Sequence, residues 1–397
     1  MARPPRVALL IECSRGYGRQ LLSGIATYAR TFGPWTFYHE ERVLADRVPA
    51  RLKEWRPEGI IARVEDASVA RTLRRLGLPT VAVLHQAPVP GIPGVMPDQE
   101  STVRLAAEHL LERRLRHFAF CGFSNIPFSE ERGKRFVRYL QARGYVVSIF
   151  ESKSKARGRD LAAVEAEALS RAGELAVWLR KLPKPIGLMA CNDMRAYQVL
   201  SVCREHGILV PDEVAVIGVD NDALQCALCD PPLSSVDNNA QQVGYEAATL
   251  LHRLMEGRGP VPNVNHIQPI GVVTRRSTDV LAIRDREVVE IVRYVRDHAC
   301  EGLPIAEMIR RNSLSRSTLE RWFVKHLGRS VNDEICRVRL DRIKELLTTS
   351  DFSLGEIAKA TGFAHAETMQ RLFKRATGQT PGEYRRHRRV VGTPFGL

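Results

Sequence analysis

The sequence predicts a two-lobed α/β domain followed by a smaller all-α domain with two helix-turn-helix units. Strand and helix signals alternate from residue 1 to about 279, in two series placed end to end. That pattern belongs to parallel sheets covered by helices on both faces, and two series imply two lobes with a cleft between them. From Arg284 onward the strand signals stop, and a short helix, a turn and a second helix occur twice. Charge is uneven as well. The chain of 397 residues carries +14, and the stretch from Arg284 to the end holds +7 of it, from 22 Lys plus Arg against 15 Asp plus Glu. Such an excess suits a polyanionic partner.

A chain of this length exceeds one compact core, so two domains are expected, at 1–279 and 280–397. Apolar residues at 44% and charged residues at 26% fit an ordinary globular protein. No apolar run is long enough to span a bilayer. Val7–Ile11 is cut short by Glu12 and reads as a buried first strand rather than a leader. A cytoplasmic protein without a membrane partner is therefore expected. The eight cysteines are scattered, and Cys226-x-x-Cys229 lacks a second pair at zinc-site spacing, so neither metal nor cofactor is expected.

In the first series, strands are expected at Arg6–Ile11, Thr36–His39, Gly59–Arg63 and Val81–Leu84, with helices at Tyr17–Arg30, Ser68–Leu76 and Ser101–Arg113. The second places strands at His117–Phe123, Val146–Phe150, Ile186–Cys191 and Val214–Val219, with helices at Ser129–Arg143, Ala162–Lys181 and Met194–His206. Polar residues at the C-terminal ends of such strands face the cleft, where a ligand sits. Asp193 follows one strand and Asp220 ends another. Carboxylates suit a polyhydroxyl ligand because each accepts from adjacent hydroxyls. Asp98 and Asp193 also stand where helix N-caps are expected, so capping accounts for them equally well. The loop Ser14–Arg19 lacks a full phosphate-cradling glycine pattern and reads as a wall of the pocket.

In the second domain, Ile305–Ile309 and then Arg316–Phe323 form the first unit, with Ser315 as N-cap. Leu319, Trp322 and Phe323 recur at helical spacing and belong to the core, which leaves Arg316, Ser317, Glu320 and Arg321 outward. The second unit runs Leu354–Ala358 and then Ala366–Phe373. Met369, Leu372 and Phe373 point inward there, and Ala366, Glu367, Gln370 and Arg371 outward. Arg321 and Arg371 hold the same place in the two copies. Val331, Ile335, Val338, Ile343 and Leu346 mark a longer amphipathic helix joining them. The basic run Arg385–Arg389 follows the last expected core residue, Tyr384, and is free to lie along phosphate.

Two resemblances follow from these residues. Gly362-Phe363, Phe373-Lys374, Thr377–Pro381 and Tyr384-Arg385, with Ser315–Glu320 in the first copy, look like the signature of the AraC family of transcription regulators. The likeness spans Val288 to Arg386 and implies that each second helix enters the major groove, about one DNA turn apart. Asn312 and Ser313 depart from the family's usual apolar residue and turn glycine. His365 replaces its small N-cap and is expected to cap the second reading helix poorly when protonated. In the first domain, Asp98, Phe118–Gly122, Arg132, Asn192-Asp193, Val216–Asp220 and Arg275–Thr278, in this order, resemble the sugar-binding domains of the LacI family and of periplasmic binding proteins. That likeness implies ligand contacts from Asp98, Arg132, Asn192, Asp193 and Asp220, with Asp98 in the first lobe. It also implies a return to the first lobe through Leu233–Val236 and Ala240–Met255.

A LacI-like sensor before an AraC-type reader is similar to regulators of xylose operons. The resemblance implies operator DNA and D-xylose as ligands, a homodimer, activation of sugar-use genes and hence a contact with RNA polymerase. The competing expectation is an α/β enzyme acting on a sugar while tethered to DNA. No nucleophile elbow, metal cluster or full dinucleotide fingerprint supports catalysis, so a non-enzymatic regulator is expected.

Overall fold

The computed structural model describes residues 3–40, 48–49, 51–64, 67–83, 90–152, 161–258, 263–280, 286–301 and 315–390. The chain divides into two compact units, Met1–Val280 and Leu281–Leu397. Leu84, the first helix expected at Ile305–Ile309, Asn312 and Ser313 lie outside the described residues.

The first unit begins β1 (Arg6–Leu10), α1 (Gly16–Phe32), β2 (Thr36–His39), α2 (Leu52–Trp55), β3 (Gly59–Arg63), α3 (Ala67–Arg75), β4 (Thr80–Val83) and β5 (Gly94–Pro97). Val7, Ala8, Leu9 and Leu10 are all at most 5% exposed, as a strand covered on both faces requires. Then come α4 (Gln99–Glu112), β6 (His117–Phe123), α5 (Pro127–Gln141), β7 (Val147–Ser152), α6 (Leu161–Ser170), α7 (Ala172–Lys181), β8 (Ile186–Ala190), α8 (Asp193–Glu205), β9 (Val214–Val219), α9 (Ala223–Leu228) and β10 (Ser234–Asp237). The unit ends with α10 (Ala240–Met255), β11 (Val264–Ile267), β12 (Gly271–Val273) and a 3-10 turn at Arg276–Thr278.

Two sheets result. The first has the order β11-β5-β4-β3-β1-β2 and is parallel throughout. The second has the order β12-β10-β9-β8-β6-β7, parallel except where β12 runs against β10. The chain passes between the lobes three times: after β5, after β10 and after β11. The passages are tied to one another. Asp98 N–H donates to Ile267 O (2.8 Å), Gln268 Nε2 to Asp98 Oδ2 (2.8 Å), and Asn239 Nδ2 to Gln268 O (3.2 Å).

Several expectations change. Strand β10 stays in the second sheet beside β9, and only α10 returns to pack in the first-lobe core with Leu21 and Ile25. Asp98 directly follows first-lobe strand β5, at the C-terminal edge of the first sheet. It sits on the first passage and caps α4, which packs in the second-lobe core through Val103, Ala106 and Leu110. The single helix expected at Ala162–Lys181 is two. Ser170 Oγ donates back to Glu167 O (2.7 Å), and the break lets α6 bury Leu161 and Val164 in one core while α7 buries Leu175 and Leu179 in another.

The end of the first unit is pinned by buried hydroxyls. Ser277 Oγ donates to Val216 O (2.6 Å), and Thr278 Oγ1 meets both His109 Nε2 (2.8 Å) and Ser234 Oγ (2.7 Å). Burial holds the His109 imidazole down to about 3, so it stays neutral.

The second unit contains α11 (Arg286–His298), a 3-10 turn (Ala299–Glu301), α12 (Arg316–Leu327), α13 (Val331–Thr349), α14 (Leu354–Ala360), α15 (Ala366–Thr377) and α16 (Pro381–Val390). Helix α13 serves two cores. Its Val331 and Ile335 pack with Val292, Leu319 and Phe323, and its Ile343 and Leu347 with Ile357, Met369 and Phe373. Glu334, fully buried on α13, gathers Arg296 (2.6 Å), Arg337 (2.8 Å) and Arg329 (3.3 Å). Burial alone would raise its carboxyl. The hydrogen bond from Arg337 and the charges of Arg296 and Arg337 outweigh that and hold it at about 2.

Candidate binding cleft and candidate nucleic-acid interface

A cavity of about 610 Å³ opens between the lobes of the first unit. The loop after β1 forms one wall and supplies Arg15, Gly16 and Tyr17. The second-lobe side comes from Arg132 on α5, Asn192 and Asp193 at the start of α8, and Asp220 after β9. Asp98 lines it from the first passage. All five ligand residues expected from sequence therefore share one cavity.

Their surroundings differ. Arg132 is 4% exposed; its Nε donates to Gln99 Oε1 (2.8 Å) and its Nη1 to Cys191 O (2.5 Å). Those bonds fix the guanidinium and leave Nη2 toward Asp220 Oδ1, 3.7 Å away. Asp220 Oδ1 accepts from Asn238 Nδ2 (2.8 Å). Its backbone has φ of 108°, and Asn221 follows at 48°, left-handed values that a non-glycine residue adopts at a cost. Desolvation in the cleft floor raises the Asp220 carboxyl despite Arg132 and Asn238. Asn192 caps α8 by accepting from Arg195 N–H (2.8 Å).

Asp193 and Asp98 do more inside the protein than a ligand role alone requires. Asp193 Oδ1 accepts from Ser235 Oγ (2.6 Å) and Oδ2 from Asp222 N–H (2.8 Å). Burial, with the charge of Asp220 adding to it, pushes the Asp193 carboxyl up to about 8. The Cys226 thiol donates to the same Oδ2 at 3.6 Å, and burial keeps that thiol protonated. Asp98 Oδ1 accepts from the amides of Glu100 (2.9 Å) and Ser101 (3.2 Å). Burial would raise its carboxyl, but the bonds from Gln268, Ser101 and Glu100 lower it.

Sequence reasoning reads the loop Ser14–Arg19 as a wall of the pocket but assigns no contact to three groups here. Tyr17 is 6% exposed, and among the described residues its buried hydroxyl has no hydrogen-bond partner. Desolvation, with Asp220 adding, pushes that hydroxyl far above its usual range, so it remains a donor. Asp222 clasps the opposite lobe: its Oδ2 accepts from Gly16 N–H (2.9 Å) and lies 3.4 Å from Arg19 Nη2. A Cβ on Gly16 would fall 2.4 Å from the Asp222 carboxyl, so a side chain there would have to displace Asp222 from this bond. Arg15 makes a bidentate pair with Glu165 of α6 (2.8 and 2.7 Å), again across the lobes. The run Asp220-Asn221-Asp222 was the available signal for Asp222. Glu165 lies on a helix with no pattern to single it out.

In the second unit, α12 and α15 are the two expected reading helices. Ser315 caps α12 by accepting from Thr318 N–H (3.1 Å), whereas His365 makes no side-chain cap on α15. Gly362 precedes α15 with φ of 75°, and a Cβ there would meet Cys300 O at 2.9 Å. Arg316, Ser317, Arg321, Glu367 and Arg371 are exposed, and Gln370 is half-buried. Arg321 Nη2 donates to Thr318 Oγ1 (3.4 Å). Glu320 is half-buried and accepts from Val331 N–H (3.3 Å), so part of its carboxylate holds the start of α13. Ala366 is turned inward against the core of Met369 and Phe373, because a methyl at the first turn of α15 completes that packing. Thr368, one turn before Arg371, is exposed in its place. Nor does the chain become free after Tyr384: α16 runs on to Val390, and Arg385 Nη2 donates to Phe352 O (2.5 Å). Among the described residues no helix is long and apolar enough to cross a membrane.

A two-lobed periplasmic-binding-protein-like domain with a central cleft, followed by a helix-turn-helix domain of the AraC type, defines a DNA-binding transcription regulator with a small-molecule sensor. Residues 107–278 match the periplasmic binding protein-like domain family, 308–387 the helix-turn-helix domain family, and 6–88 the XylR N-terminal domain family. The chain is 32% identical over 393 residues to the xylose operon regulatory protein of Escherichia coli (strain K12), covering 96% of each. It is 30% identical over 389 residues to that of Haemophilus influenzae, covering 96% of this chain and 98% of the relative. The solved structure of the xylose-binding transcription activator XylR superposes with a TM-score of 0.72 at 29% identity, over 97% of this chain and 99% of that one. The chain belongs to the family of xylose operon regulatory proteins.

Proposed function

We propose that D-xylose is the effector, and that residues 1–279 sense it while residues 280–397 read operator DNA to activate sugar-use genes. The observation that carries this reading is a set of four groups lining one cavity. Among the described residues, the Tyr17 hydroxyl, Arg132 Nη2, Asn192 Nδ2 and Asp220 Oδ2 each lack a hydrogen-bond partner from the protein, the nearest to Arg132 Nη2 being 3.7 Å off. A phenol, a guanidinium, an amide and a carboxylate together complement a neutral ring with hydroxyls on several carbons. Asp98 and Asp193 contribute mainly by holding the cleft in shape. In the reader, Arg316, Ser317, Arg321, Glu367, Gln370 and Arg371 are the residues we assign to DNA. The protein acts in the cytoplasm as a homodimer and contacts RNA polymerase. We read it as a binder and not an enzyme, and pentoses incubated with it should be recovered unchanged.

Calorimetric titration with D-xylose tests the assignment. The wild type should bind, and Asp220→Ala should lose about 1.5–3 kcal/mol, roughly ten- to a hundred-fold in affinity. Equal affinity in both would take Asp220 out of the contact set. No heat with any pentose would overturn xylose as effector while leaving the regulator reading intact.

A further inference from the structure

Within the second unit, one side chain bridges the two helix-turn-helix halves. Helix α13 packs Val338 against the first core and Leu340 against the second, so Arg339 stands where the two cores join. It is half-buried, and its guanidinium reaches both sides. Arg339 Nε donates to Ala299 O (2.8 Å), and Ala299 belongs to the first core. The same guanidinium lies over the Phe363 ring, 5.1 Å from its centroid, and Phe363 packs on the second core. A second close approach lies alongside. A Cβ on Gly362 would meet Arg339 Nη2 and Cys300 O, each at 2.9 Å, so the turn leading into α15 rests against the 3-10 turn that follows α11.

We propose that Arg339 is a positioning residue for DNA reading: its joint with Ala299, Gly362 and Phe363 sets the spacing at which the two reading helices accept their segments. This rests on the assignment of α12 and α15 to DNA. The tolerance required is small. One base pair is about 3.4 Å along the duplex and about 35° around it, so a reader of two segments must hold its helices more closely than that. Helix α13 alone leaves a weak point, because the second core grips it through Ile343, Leu346 and Leu347, all beyond Arg339. The joint closes that gap by fixing the start of α15 directly to the first core. Specificity then has two sources: base contacts from the exposed faces of α12 and α15, and a distance between segments that Arg339 enforces without touching a base.

The experiment uses the full-length protein with D-xylose present throughout. The wild type selects its operator from random-sequence duplexes, and footprinting locates the protected segments. Fluorescence anisotropy then gives affinities for that operator and for duplexes with one base pair inserted or deleted between the segments. The wild type should lose about tenfold or more on either altered duplex, the scale of a misplaced base contact. Arg339→Met, which keeps an apolar stem and removes the donor and the charge, should bind all three duplexes within about threefold of one another. Arg339→Lys, which keeps a cation and a donor, should recover most of the penalty. Phe363→Leu removes the ring face, should relax spacing in the same way, and carries the test if Arg339→Met fails to fold. The full wild-type penalty in a folded Arg339→Met, or in Phe363→Leu, would overturn the proposal and leave the DNA reading standing. A wild type indifferent to spacing, with a single protected segment, would overturn the two-helix reading as well.

Discussion

A phenolic hydroxyl buried without a partner costs the empty protein free energy that a ligand can return. Tyr17 holds such a hydroxyl in the cleft wall. Tyr17→Phe removes the unsatisfied group and is expected to stabilise the sugar-free protein by about 1 kcal/mol, while sugar affinity falls about tenfold. Thermal unfolding with and without D-xylose reads both effects, and a variant destabilised in both states would show that the hydroxyl serves packing alone. Arg371 is the corresponding residue of the reader. It is exposed on α15 and carries no protein partner among the described residues. If it reads a guanine edge, Arg371→Ala should cost about 1–3 kcal/mol and relax specificity at one base pair. An equal loss on every DNA sequence would place it on phosphate instead. Neither role needed the structure to be suspected for Arg371, whose match to Arg321 is visible in the repeat. Tyr17 was hidden, because nothing in the sequence says that its hydroxyl ends up alone.

Elements bounded by turn residues were legible, and those whose pattern is broken by polar residues, Gly or Pro were not. Strands β2, β3, β6 and β9 fall at their expected residues, each an apolar run bounded by polar or turn residues. Strands β5, β11 and β12 were not expected: β5 is bounded by Gly94 and Pro97, β11 interrupts its apolar ends with Asn265 and His266, and β11 and β12 pair with strands that are not their neighbours in sequence. The cross-lobe bonds escaped for the same reason: Arg15 and Glu165 are 150 residues apart, and Gly16 and Asp222 are 206 apart. Helix α13 was expected, but not the buried Glu334 on it, which ties α11 to the first reading unit through Arg296. Its folded-state value of about 2 lies below the ordinary 4.5. A depressed carboxyl adds stability that is present above about pH 4.5 and is lost as pH falls toward 2. Glu334→Gln should therefore destabilise the reader by about 3 kcal/mol at pH 7. The gap between variant and wild type should close over that acid range. Urea unfolding at pH 7, 4.5 and 3 measures it, and a gap independent of pH would mean that packing, not charge, is what Glu334 supplies.

At the scale of the whole molecule, the bonds of Arg15 to Glu165 and of Asp222 to Gly16 are made by protein groups alone, so they favour the closed arrangement of the lobes independently of sugar. A sensor that can shut on its own part of the time is never fully silent, so uninduced transcription has a floor set by those side chains. The same fraction of shut molecules scales the apparent affinity for sugar, since the effector binds only the competent form. Leakiness and sensitivity are thus one quantity viewed twice. Glu165→Gln, which weakens the bidentate pair, should lower background expression about three- to tenfold and raise the half-inducing sugar concentration by the same factor. A reporter dose–response curve gives both numbers, and a drop in background without a matching shift in the curve would break the link. A strain bearing the variant would induce later but from a darker off state, which makes the latch a place where selection can trade early response against waste.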